Sequence, residues 1–439
     1  MVTRRTLGLG VVWVLVWAPA AWAQGYLLTE VPRAGECFRV EIDTTVSGTV
    51  KVPRDDAAVS IPLKAENRLA LLQRTLAVRD GEVTKAARVY QTAESRVRFG
   101  DDTFERTLRD ERRLIVAQAT DDGPVCYSPA GPLTQDEVEL TGDHFDTLHL
   151  TRLLPGKSAE RGESWKADNA AVQALCSFDG LISHDLTVTL EEVKDGAAWL
   201  RVKGQASGIE LGALVNLTID AKLKYELLPK RLTELEWKQT DRRDAGPVSP
   251  ALEAESVTKL RRTLLPGEPK ELSDLALVTV PKEGEPPALL CQVVHEDTGG
   301  GFRFLHARDW HVVGRTEKHL ILRLLERGDF VAQATLTRWE KAEPGKHIAP
   351  EEFRELIAQT PGWEPEELIE EGEVPTESGR WVYRVTARGS LHGVPVLQNF
   401  FAVAGPGGEQ VMVTFVMKPA NAAKVGTRDV ALVNSIDFK

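Results

Sequence analysis

The run Val215-Asn216-Leu217-Thr218-Ile219-Asp220-Ala221-Lys222-Leu223-Lys224-Tyr225-Glu226-Leu227 decides the fold of the first half of this chain. Odd positions are apolar and even positions polar or charged, the period-two pattern of a long strand with one dry and one wet face. Leu228-Pro229-Lys230-Arg231 reads as a turn, and Thr233, Leu235 and Trp237 fall on one face of the returning strand. Upstream, Leu186, Val188 and Leu190 alternate again, and Lys194-Asp195-Gly196 reads as a hairpin turn. Further out, residues 39–42, 69–78, 89–99 and 114–119 read as strands, and 144–153 and 170–175 as helices. The sum is a large, curved antiparallel sheet with a few helices.

Composition bounds the rest. At 439 residues the chain is too long for one ordinary core. With 42% apolar and 27% charged residues it is neither disordered nor a protein of many membrane spans. Its 54 Lys and Arg against 65 Asp and Glu, a net charge of -11, argue against a nucleic-acid partner or a binder of anionic membranes. Arg4 and Arg5, the uncharged apolar stretch 7–17 and Ala21-Trp22-Ala23 form an export signal, with cleavage expected after Ala23. The new first residue, Gln24, is not a cysteine, so no lipid anchor is expected there. Losing Arg4 and Arg5 takes the net charge from -11 to -13. The mature chain is expected to be soluble, without an integral membrane anchor, and periplasmic or extracellular. Export permits disulfides among Cys37, Cys126, Cys176 and Cys291, but the spacing selects no pairing, and buried free thiols are the alternative.

Two strand-rich blocks flank a Pro/Gly-rich stretch, giving a signal over 1–23, a β-rich domain over 24–264, a linker over 265–300 and a second domain over 301–439. In the second block, 320–325 and 330–337 read as strands joined at Arg327-Gly328-Asp329. A helix opens at Pro350 with apolar Phe353, Leu356 and Ile357. Strands follow at 381–387, 394–403 and 410–416, then a helix from Thr427. The fold class is therefore α+β. This order, with Gly301-Phe302-Arg303-Phe304, Asp309-Trp310 and the closing Asn434-Ser435-Ile436-Asp437-Phe438, resembles the PsbP-like fold of photosystem II extrinsic proteins and exported proteins of the DcrB and LpqN kind. The resemblance implies a smaller PsbP-like α/β sandwich with no shared catalytic residues. The first block is similar, by architecture alone, to the carrier sheets of the LolA and LppX type.

Chemistry-bearing patterns are few. His144 and His149, like His306 and His311, stand five apart and do not form His-Glu-x-x-His; a metal site from His306, His311 and His319 has little to support it. Pro155-Gly156-Lys157-Ser158 lacks the leading glycine of a phosphate loop, where Thr151 stands. Ser256-Val257-Thr258-Lys259 matches Ser-x-x-Lys but alternates like a strand and has no companion motif. The acidic run Glu364, Glu366, Glu367, Glu370, Glu371 and Glu373 is expected on a solvated helix or loop. Arg106, Arg109, Arg112 and Arg113, interleaved with Asp110 and Glu111, suggest cross-strand pairing. No catalytic residue, metal or cofactor follows. The leading expectation is a non-catalytic binding or accessory protein of the cell envelope, with an unidentified envelope protein as partner. The alternative is a carrier of an apolar small molecule or lipid on the face of Val215, Leu217, Ile219, Leu223 and Tyr225. An envelope hydrolase ranks third.

Overall fold

The computed structural model describes residues 25–54, 57–120, 123–142, 147–281, 283–297, 299, 301–376 and 379–439. The export signal and residues 144–146 of an expected helix lie outside them. The described chain is dominated by strands, with a smaller α+β region late in the sequence.

One antiparallel sheet occupies the first block. Along its main path run Ser164–Lys166, Thr187–Lys194, Ala197–Glu210, Ala213–Glu226, Arg231–Arg243, Ala251–Leu264, Cys37–Arg54, Ala57–Arg79, Glu82–Phe99, Leu114–Thr120 and Gly123–Tyr127. Sequence neighbours pair through tight hairpins, but the first long strand closes against the last, Cys37 lying near Leu264. Asp195 and Gly196 both have positive φ, 51° and 76°, as a two-residue turn matched to strand twist requires. One reading of the returning strand is corrected. Lys224 faces Glu234 but Tyr225 faces Leu232, so Thr233 sits in a bulge and Leu232 joins Leu235 and Trp237 on the dry face.

The dry face packs beneath a cover supplied by residues 147–178. Leu148, Leu150, Leu153, Val172, Leu175 and Phe178 close over Leu190, Leu200, Leu223 and Trp237 as one core. The helix expected at 170–175 is present as Asn169–Leu175, capped by Asp168, whose carboxylate accepts from the Ala170 and Ala171 N–H groups. Of the other expected helix, the described part is a single 3-10 turn, Leu150–Leu153.

The Pro-rich stretch is strapped to the outer face of this sheet. Leu272, Leu277 and Val280 are buried against Leu72, Ala87, Val116 and Tyr127. Arg74 donates to the Leu272 carbonyl, Lys85 to Pro281 and Gln118 to Gly284. Within this stretch, residues 274–279 form turns. Val293–Glu296 then pairs antiparallel with Phe302–His306 and parallel with Leu133–Thr134, so one small sheet draws on both blocks.

The late region is a seven-stranded antiparallel sheet, ordered Trp310–Arg315, His319–Glu326, Asp329–Arg338, Gln410–Met417, Val394–Ala404, Trp381–Leu391 and Trp363–Glu373. Helix Arg428–Asn434 contributes Leu432 and Val433 to one core, while Pro350–Ala358 buries Phe353 and Ile357 in another. The acidic run is neither helix nor loop. It forms the edge strand Trp363–Glu373, whose glutamates pair with Arg354, Arg384 and Arg388. Two bulges break its alternation, which is why period two was invisible there.

Candidate functional site

The face singled out from sequence is at the centre of the first core. Val215, Leu217, Ile219, Leu223 and Tyr225 are 0–3% exposed, and the Tyr225 hydroxyl donates to the Thr29 carbonyl at 2.6 Å. Phe178 fills the space above Gly208, opposite Val215; a Cβ there would lie 2.4 Å from the phenyl ring. In this structure the face is occupied by the protein's own cover.

The same sheet face continues beyond that cover. Cross-strand register aligns Thr258, Thr44, Asn67, Ser95 and Arg106 in one row. This row is polar and satisfied: Thr44 bonds Thr258 at 3.0 Å and Ser95 donates to Asn67 at 2.5 Å. Arg106 reaches Asp136 and Glu139 of the helix Gln135–Thr141, whose Leu140 belongs to the core. Past the belt, the next row is Ser256, Val46, Ala65, Val97 and Phe104; then come Ala254, Gly48, Leu63 and Phe99; then Leu252, Val50 and Ile61; and finally Val52 with Val59. None of these residues belongs to a packed core cluster. Most are half-buried, Val50 and Ala254 are buried (7% exposed), and Phe104 is 52% and Val59 40% exposed.

At ~3.4 Å per residue and ~4.8 Å per strand, the extension measures roughly 20 by 15 Å, about 300 Å2. That lies at the lower end of the largest apolar patches of ordinary monomers, which are often functional. Covering it would supply about 7 kcal/mol before the costs of association. The opposite face stays wet and charge-paired, through Lys51–Glu253, Arg68–Asp43 and Arg96–Glu105. Sequence reasoning missed this surface although its signal was present. Val46, Val50 and Val52 alternate with Thr45, Thr49 and Lys51, and Val59, Ile61 and Leu63 with Ser60, Pro62 and Lys64.

On the inner side of the extension sits an ionic cluster. Arg243 contacts Glu210 at 2.7 Å and Asp241 at 3.8 Å. Burial, with Asp241 and Asp179 nearby, pushes Glu210 up to about 7 against the pull of Arg243. Gly212, in the adjoining hairpin turn, lies against Gly328 of the late region, and Arg323 donates to the Pro247 carbonyl.

The other candidate residues are dispersed. Cys37, Cys126 and Cys176 are buried and Cys291 is half-buried, and the structure forms none of the disulfides that export would permit. His306 is buried, His311 half-buried, and exposed His319 contacts Thr337 at 3.0 Å. Among the described residues no group of three His, Cys, Asp or Glu side chains is placed to hold a metal. Ser256 and Lys259 lie three apart on one strand and therefore on opposite faces. The arginine cluster turns out to be a joint rather than a cross-strand ladder: Arg109 forks onto buried Glu137, and Arg113 donates to the Tyr90 and Gln91 carbonyls. A cleft by His295, Arg315 and Arg338 encloses only ≈ 20 Å3, about one water. Among the described residues no helix is long and apolar enough to cross a membrane.

No family model matches the chain, and no curated protein does. Solved structures give weak, partial likenesses. Cyanobacterial PsbP from Synechocystis sp. PCC 6803 is 16% identical over 36% of this chain and 96% of its own, at a TM-score of 0.28. The Ran-binding protein Mog1p of Saccharomyces cerevisiae is 11% identical over 33% of this chain and 94% of its own, at 0.27. Lipovitellin is 10% identical over 55% of this chain but only 27% of its own, at 0.29. The chain thus bears a weak, partial structural resemblance to the PsbP-like fold.

Proposed function

We propose that this chain is an exported, non-catalytic binding or accessory protein of the cell envelope whose binding element is the uncovered apolar extension of the first sheet. One observation carries the reading: apolar side chains stand in register over successive rows beyond the belt, and no core packs on them. The export signal and the lack of any nucleophile–base or metal spacing in the sequence support it. On this reading the α+β region forms a late PsbP-like domain, and its hairpin at Arg327-Gly328 braces the sheet beside the binding face.

Titration of the full mature chain with a fluorescent apolar probe such as N-phenylnaphthylamine tests this. Uptake by the wild type, lost in Leu63→Lys with unchanged near-ultraviolet dichroism, is the expected result. A wild type that takes up no probe would sink the reading. The carrier alternative needs the 147–178 cover to lift from Val215 and Leu217. It gains ground only if uptake survives Leu63→Lys and disappears in a folded Leu217→Asp variant.

A further inference from the structure

We propose that the occupant of the sheet extension is the surface of a phospholipid bilayer, with the apolar face lying flat against acyl chains. This rests on the binding role given to that face above. The first argument is the backbone. Over the two rows from Ser256 to Val97 and from Ala254 to Phe99, the strands Ala251–Leu264, Cys37–Arg54, Ala57–Arg79 and Glu82–Phe99 are laddered on both sides, whereas beyond them 57–62 pair with Cys37–Arg54 alone. Over those two rows a partner peptide therefore finds no free edge among these strands to extend as an added strand. Whatever covers those two rows meets side chains alone. Acyl chains suit such a surface, because they offer no hydrogen bonds and tolerate only a backbone satisfied internally.

The second argument is area. Two copies packed extension to extension would bury roughly 600 Å2 in total, about half of what a stable protein interface takes. A bilayer sets no such threshold, since association is a partition that scales with the apolar area delivered. The third argument is the distribution of charge. Charged side chains on this face stand at its margins, Asp102 opposite Phe99 and Asp241 and Arg243 opposite Ala254 and Leu252, while Val46, Val50, Ile61, Leu63 and Val97 lie between them, and the charges on the reverse face are tied into pairs such as Lys51–Glu253. With its face on lipid, that reverse face remains in water. Docking of this kind depends on apolar area rather than lipid charge, consistent with the chain's net charge of -11.

Flotation of the full mature chain with phosphatidylcholine vesicles tests the proposal, alongside Phe99→Trp in vesicles with brominated acyl chains. The expected result is co-flotation that persists at high salt, a drop of at least tenfold in Leu63→Lys, and bromine quenching of the introduced tryptophan. Co-flotation that survives Leu63→Lys overturns the proposal, because the contact then lies elsewhere. If the apolar probe binds the extension but the protein neither floats nor shows quenching, the bilayer is the wrong occupant and the binding face stands. Concentration-dependent dimerisation in the ultracentrifuge would then give that face to a second copy. If neither probe nor vesicle binds, both readings fall together.

Discussion

Acid should loosen the late region through two buried histidines. His306 donates from Nδ1 to the Ala307 carbonyl at 2.9 Å, and its Nε2 is buried without a partner. Burial, with His311 nearby, brings its pKa down to about 4 despite that hydrogen bond. His295 is brought to about 4 by burial, Arg315 and His306, while Asp297 and Glu296 pull the other way. In the unfolded chain both rings titrate near 6.5. Between pH 6.5 and 4 the unfolded state therefore binds more protons, and stability is lost as pH falls through that window. At pH 5 the loss relative to pH 8 comes to about 2 kcal/mol per ring. Glu210 acts in the opposite direction. Raised to about 7, it favours the folded state at acid pH and forfeits that as pH rises from about 4.5 to 7. The histidine contribution must therefore be isolated by difference, using His306→Phe, which removes one titrating ring beside Phe304. Urea unfolding at pH 8 and pH 5 is the assay. The variant should be somewhat less stable at pH 8, having lost the Ala307 bond, yet should lose about 2 kcal/mol less than the wild type on acidification. Identical pH dependence in the two proteins would refute the reasoning.

Two further outcomes follow from packing. Gly208→Val should destabilise by about 1–3 kcal/mol through collision with Phe178, and Phe178→Ala in the same chain should relieve part of that cost; strictly additive unfolding energies would show that the two do not meet. Glu30, its side chain 0% exposed, accepts from Arg262 at 2.6 Å and from the Leu232 N–H at 2.9 Å, so Glu30→Ala should cost about 3–5 kcal/mol by denaturant unfolding, and a loss under 1 kcal/mol would count against a buried charge left alone.

The long strands were legible because alternation is a one-dimensional signal, and the run from Val215 to Leu227 carries it without interruption. The turns at Asp195-Gly196 and Arg327-Gly328 were legible for the same local reason. What failed was non-local. Thr233 is displaced by a bulge that depends on how Lys224 and Tyr225 pair across the sheet. The glutamates of the edge strand hide a ladder that only Trp381–Leu391 reveals. The proline-rich stretch was read from its breakers, whereas Leu272, Leu277 and Val280 find a surface to cover. For the candidate site, sequence named the stretch of the first sheet's dry face that residues 147–178 cover, and passed over its continuation beyond the belt. Whether a dry face is capped depends on where residues 147–178 return, which no alternation encodes.

The polar belt from Thr258 to Arg106 also fixes how this architecture can vary. Strand faces alternate with every residue, so an odd insertion beyond the belt would turn the extension inside out and set its charged side against the apolar one. Insertions of two residues, matched on paired strands, would lengthen the apolar face by a row and leave the core below the belt unaware of the change. The extension is thus a ruler graduated in steps of two, and its length can drift through evolution or be set by design without renegotiating the fold that carries it.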